Sequence, residues 1–197
     1  MIVMLIIGGS MSMLMGLADD LRNLKARWKI VFQIFAASLA YSGGFRIEAI
    51  SSPFGNSIDL GFTSYLVTNL WFLVCMNALN LVDGLDGLSA GIGFIVSITL
   101  LGVNFAAGNI LGTLLNACIS GALLGFLIFN FNPASIFLGD SGSMFIGFLI
   151  AAISLLTKNK AETATALLIP LMALGLPIFD MLLAIIRRWS RRNPISV

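Results

Sequence analysis

The chain has no histidine, only two cysteines and five prolines, and just 10% of its 197 residues are charged. Without imidazole it can build neither a histidine metal site nor a Ser-His-Asp or Cys-His catalytic pair. The stretch GDSGS around Ser141 looks like a serine-protease nucleophile loop, but no base exists to activate that hydroxyl. Cys75 and Cys118 fall in different apolar segments, which favours two buried thiols over a disulfide or redox pair. Eleven basic and nine acidic residues leave a formal charge of +2. The cations cluster where membrane topology uses them, so no nucleic-acid partner is indicated.

What is abundant is apolar surface: 58% hydrophobic residues and a mean hydropathy of +1.01 describe a polytopic membrane protein. A helix needs roughly 20 mostly apolar residues to cross the hydrocarbon core. Read that way, the chain is an all-α transmembrane helix bundle with about seven spans, near 1–17, 28–45, 61–80, 88–107, 110–129, 141–157 and 163–186. Lipid satisfies no open backbone group, so all should be helices. The first segment lacks a basic flank and a small-residue cleavage site, so it reads as a span and not a signal peptide. Residues 1–197 form a single integral-membrane domain, with a hairpin-like external loop at 45–60 around Pro53-Phe54-Gly55-Asn56. Arg22, Lys25, Arg27 and Lys29 follow the first span, and Arg187, Arg188, Arg191 and Arg192 follow the last. An odd number of spans puts both clusters on one side, which the positive-inside rule makes cytoplasmic, with the N-terminus outside. Gly87 with Gly91, Gly108 with Gly112, and Gly121 with Gly125 have the spacing of close helix packing, within the chain or across a homodimer.

Against this background three acidic motifs fall on one side of the membrane: Asp19-Asp20 in GLADDLRNLK, Asp83 and Asp86 in NALNLVDGLDG, and Asp140 in NFNPASIFLGDSGS. Asp140 opens a span, where it can cap the helix; the same helix start offers free N–H groups to phosphate oxygens. An aspartate there can also take Mg²⁺, which prefers one or two carboxylates, waters and substrate phosphates. Asn77, Asn80 and Asp83 share one face if the third span continues through them, and Gly84 and Gly87 then break the helix. Asp19-Asp20 is either a solvated pair matched to Arg22 and Lys25 or a pair whose pKa values are driven apart to make a general base. Asp180, about two turns inside the last span, is a costly carboxylate that either pairs across helices or serves function.

Together GLADD, NALNLVDGLDGL and NFNPASIFLGDSGS resemble the cytoplasmic signatures of the polyprenyl-phosphate N-acetylhexosamine-1-phosphate transferases. PIFDMLLAIIRR looks more like the teichoic-acid and O-antigen branch than the phospho-N-acetylmuramoyl-pentapeptide branch. The resemblance implies transfer of a sugar 1-phosphate from a UDP-sugar to a polyprenyl phosphate lipid, releasing UMP, in a bacterial plasma membrane with the active-site loops cytoplasmic. It implies Mg²⁺, with Mn²⁺ as a substitute, held by Asp140 and Asn80. Asp19, Asp20 and Asp83 are the implied catalytic carboxylates. Lys29, Asn77, Asp86, Asn130 and Phe137 are the implied substrate contacts, with Asp86 and Phe137 at the nucleotide base and Lys29 at phosphate.

Family members usually carry further helices before the first span and a His-rich motif after the RR pair, so the chain reads as shortened at both ends. A non-catalytic membrane fragment is therefore one rival reading. A cation or proton transporter is another, but it would place carboxylates near the bilayer midplane, where only Asp180 approaches that depth.

Overall fold

In the computed structural model the described residues are 1–51, 57–156, 160–175, 179 and 183. They form seven helices: α1 (Ile2–Arg22), α2 (Ala26–Ser42), α3 (Ser64–Val82), α4 (Leu88–Ala106), α5 (Ile110–Asn130), α6 (Gly139–Ser154) and α7 (Lys160–Ala173). Each begins within a few residues of an expected span. Four apolar helical stretches, at Ile2–Arg22, Gly61–Val82, Leu88–Ala106 and Ile110–Asn130, are long enough to cross a membrane. At about 1.5 Å per residue, the 21 residues of α1 reach the ~30 Å of a hydrocarbon core. Helix α6 is equally apolar but shorter. Asp180 and the Arg187-Arg188 pair lie outside the described residues, as does the turn at 52–56.

Two boundaries differ from the expected ones in ways that matter for the site. Helix α1 runs on to Arg22, so Asp19 and Asp20 sit on its last turn and not in a loop. Asn23 ends the helix in a left-handed conformation (φ 47°), its N–H bonded to Asp19 O at 2.8 Å. Asparagine tolerates that conformation better than most residues with a Cβ. Helix α3 runs to Val82 and leaves Asp83 as its cap, so Asn77 and Asn80 lie on helix and Asp83 just past it.

Short links between successive helices make neighbours antiparallel. The ends of α1, α3 and α5 and the starts of α2, α4 and α6 therefore share one end of the bundle. The opposite end carries a two-stranded antiparallel pair, β1 (Ala49–Ser51) with β2 (Ser57–Asp59), Ala49 facing Asp59. Asn109 caps α5 at that end, accepting from Gly112 N at 3.2 Å and donating to Asn104 Oδ1 and Leu156 O.

Helix α6 is the axis of the core, packed mainly between α1 and α3. Met144, Phe148, Ile150 and Ile153 are wholly buried, and the Phe148 ring meets Phe72 with centroids 5.1 Å apart. The outer helices are apolar on both sides. Leu14, Leu66, Phe105, Ile110 and Ile128 are all exposed, a surface suited to lipid and costly in water. Cys75 is buried as expected, whereas Cys118 lies on the exposed face of α5.

Close helix packing does not fall on the glycine pairs the spacing suggested. A Cβ on Gly91, Gly121 or Gly125 would meet nothing, and of the six only Gly112 is crowded, against Asn104. The tight contact is Gly16 on α1, where a Cβ would stand 2.4 Å from Asp140 O and from Ser141 Cα. Backbone there touches backbone, and no side chain can move aside.

Gly16→Ala is therefore expected to destabilise the fold by about 1–3 kcal/mol through overpacking. Gly125→Ala, with free space and better helix propensity, should be neutral or slightly stabilising. Thermal unfolding of the two variants in detergent checks the contrast; equal midpoints would contradict the α1–α6 contact.

Candidate active site

Four carboxylates surround the first turn of α6. Asp20, from the last turn of α1, accepts from Asp140 N through Oδ1 (2.9 Å) and from Ser141 N through Oδ2 (3.1 Å). Asp83, from the end of α3, lies close enough to the Gly139 N–H for that group to favour its charged form. Asp140 is in that turn, and Asp19 is tied to it through Lys29. The Lys29 ammonium pairs with Asp140 Oδ2 at 2.8 Å and with Asp19 Oδ2. Asp19 Oδ1 accepts from Leu24 N at 2.6 Å, which fixes the turn leading into α2.

This arrangement changes two expectations about Asp140. It does not cap its own helix: Leu138 holds the cap position, without a side-chain bond. The N–H groups of Asp140 and Ser141 at the head of α6 are also not free for phosphate, because the Asp20 carboxylate from α1 already takes them. A helix start attracts anions through its dipole and unpaired N–H groups; here the anions are the protein's own. Gly139 makes the approach feasible. Its φ of 68° suits glycine, and a Cβ there would lie 2.9 Å from Asp20 Oδ2.

Asn80 donates to Asp140 Oδ1 at 2.7 Å and to Ser143 Oγ at 3.1 Å. Ser143 in turn donates to Gly139 O at 2.9 Å. No described hydrogen bond is made to Asn80 Oδ1, so an amide oxygen and the Asp140 carboxylate stand side by side. Burial pushes the Asp83 carboxyl up to about 6, helped by the Asp140 and Asp20 charges and opposed by the Gly139 N–H and the Ser89 hydroxyl.

Several other expected contact residues also hold the fold. Asn77 exchanges amide bonds with Gln33 (3.2 and 2.8 Å) and donates to Leu73 O, so its amide joins α2 to α3 and not the acidic cluster. Asn130 is buried; it accepts from Gly87 N at 3.1 Å and donates to Ile136 O at 2.8 Å, pinning the 131–138 loop to the start of α4. Asp86 Oδ2 receives Asn132 Nδ2 and Ala134 N, tying the 83–87 turn to the same loop. Phe137 is 70% exposed on that loop. Sequence reasoning missed Gln33 and Ser143. Both were signalled by position: Gln33 is one helical turn from Lys29, and Ser143 three residues from Asp140.

Among the described residues no three acidic, cysteine or histidine side chains are grouped tightly enough to enclose a metal ion alone. The donors on hand are all oxygen: the carboxylate of Asp140 and the amide oxygen of Asn80. That set fits a hard ion such as Mg²⁺, which takes one or two protein carboxylates and completes its shell with water and phosphate.

A bundle of lipid-facing apolar helices with Asp19, Asp20, Asp83, Asp86 and Asp140 gathered at one end is a multi-pass membrane protein with a polar site at the ends of its helices. The chain belongs to glycosyl transferase family 4, whose description matches residues 2–158. It is 39% identical over 191 residues to a probable undecaprenyl-phosphate N-acetylglucosaminyl 1-phosphate transferase of Bacillus subtilis, covering 96% of this chain and 53% of that one. A decaprenyl-phosphate N-acetylglucosaminephosphotransferase of Mycolicibacterium smegmatis is 36% identical over 214 residues, covering 97% and 53%. A phospho-N-acetylmuramoyl-pentapeptide-transferase of Shouchella clausii is 41% identical over 144 residues, covering 70% and 44%. The chain thus spans about half the length of the curated relatives it matches.

The raised Asp83 value has a sign that can be checked. A carboxyl whose folded pKa of about 6 exceeds its unfolded 3.8 binds its proton more tightly when folded. Its contribution is complete below pH 3.8 and is lost as pH rises through about 6. Asp83→Asn should remove that component, flattening thermal stability against pH between roughly 4 and 7. Parallel wild-type and variant curves would contradict the assignment.

Proposed function

We propose that the protein transfers N-acetylhexosamine 1-phosphate from a UDP-sugar to a polyprenyl phosphate, releasing UMP, at the cytoplasmic face of a bacterial plasma membrane. The observation that carries the reading is the charge imbalance at the head of α6. Asp19, Asp20, Asp83 and Asp140 converge there with Lys29 as the only described ion-pair partner. So much negative charge at a helix start invites a divalent cation. Family membership and the relatives' named activities support the reaction class.

In this reading Asp140 and Asn80 hold Mg²⁺. Bound there, the ion would supply charge neutralisation for a diphosphate, the main demand of phosphoryl transfer. Lys29 balances Asp19 and Asp140 and presents a cation to incoming phosphate. Asp83, half-ionised near pH 6, is the carboxylate suited to take a proton from the lipid phosphate. Asp86 and the exposed ring of Phe137 border the loop over the site, where a uracil base can stack. The exposed apolar faces of α1 and α2 place the same end of the bundle within reach of a lipid chain.

Asp140→Ala is expected to abolish Mg²⁺-dependent UMP release from a UDP-sugar in membranes supplied with undecaprenyl phosphate. Loss of one charged ligand should lower turnover by at least about 10²-fold. Undiminished release would remove Asp140 from the metal site.

A further inference from the structure

We infer that Asp20 is not a proton-transfer group but a positioning residue, whose carboxylate holds the first turn of α6 and thereby aims Asp140 at the metal. The inference rests on the reading of Asp140 as the metal-facing carboxylate, and it separates two adjacent aspartates that the sequence presents as equals.

The geometry is specific. Both Asp20 oxygens are engaged, one on Asp140 N at 2.9 Å and one on Ser141 N at 3.1 Å. A carboxylate that accepts two backbone N–H bonds has its lone pairs directed at the helix. Asp19, next in sequence, points elsewhere, to Leu24 N and Lys29. Around Asp20 the backbone is cut to fit. Gly16, one turn earlier on α1, lets that helix lie against Asp140 and Ser141. Gly139 leaves room for the carboxylate, since a Cβ there would crowd both of its oxygens.

The peptide N–H that Asp20 holds is that of Asp140 itself. The backbone amide and the side chain leave neighbouring atoms of one residue, so fixing the first restricts where the second can point. Lys29 and Asn80 complete the hold from the side-chain end. Groups that orient a metal ligand commonly govern metal affinity by about 10–100-fold without touching substrate. A base, by contrast, governs turnover and the acid limb of the pH profile.

Asparagine separates the two roles, because it keeps one of the two acceptor oxygens, sets an NH2 in place of the other, and cannot act as a carboxylate base. Asp20→Ala, Asp20→Asn and Asp140→Asn are compared with wild type in lipid nanodiscs. The readouts are Mn²⁺ affinity by electron paramagnetic resonance, metal-free amide exchange of the 138–144 segment, and turnover at saturating metal. Asp20→Ala should weaken Mn²⁺ binding by about 10–100-fold and speed exchange at Asp140 and Ser141. Asp20→Asn, which restores one of the two bonds, should recover part of the affinity, with turnover at saturating metal within about threefold of wild type and the acid limb unmoved.

Wild-type Mn²⁺ affinity in Asp20→Ala, or turnover in Asp20→Asn reduced by about 10²-fold or more with its acid limb gone, would overturn the inference. Should the alanine variant not fold, the asparagine variant carries the comparison on the same two readouts. If Asp140→Asn still binds Mn²⁺ as wild type does, the metal reading fails, and this inference with it. If only the Asp20 variants bind normally, the metal reading stands and the positioning role is lost.

Discussion

The contact on which the rest of the structure depends is a carboxylate from one helix closing the N-terminus of another. Asp20 on α1 fills the first N–H groups of α6, and α6 is the buried axis of the bundle. A helix start left unpaired in an apolar setting is expensive, and its dipole favours an anion. The chain meets both demands with one residue and so locks the end of α1 to the start of α6. Lys29 then ties α2 to the same place, and Asn80 ties α3. Four helix ends are thereby drawn to one point.

That convergence explains how a chain with so few charges can assemble an acidic site. In lipid, each charge is costly unless paired or brought to the boundary. Here the antiparallel succession of helices brings widely separated acids to one level, and packing through Gly16 brings them close. A second layer of amides, Gln33 with Asn77 and Asn130 with Gly87 and Ile136, secures the helices and the covering loop behind them.

Much of this was legible in the residues, and the failures have identifiable physical causes. Apolar run lengths located the helices, and the parity of short links put Asp19, Asp20, Asp83 and Asp140 on one side. Helix ends were less legible: nothing in the hydropathy of GLADDLR marks that α1 continues to Arg22, because acids at a boundary suit helix and loop alike. Nor do the residues reveal what the Asn77 and Asn130 amides bond to within the protein, because an amide's partner is set by three-dimensional neighbours, here Gln33 and the backbone of Gly87 and Ile136. Spacing shows which glycines share a face, not which face meets another helix, and Gly121 and Gly125 face open space while Gly16 bears the close contact.

The proposed function requires one cation where the ends of α1 and α3 meet the starts of α2 and α6. An experimental structure of the Mn²⁺-loaded protein in lipid, with the ion located by its anomalous scattering, tests that most directly. The account predicts a single strong peak against the Asp140 carboxylate, with Asp20 still seated on the head of α6. A peak elsewhere, or Asp20, Asp83 and Asp140 turned into unconnected regions, would contradict it.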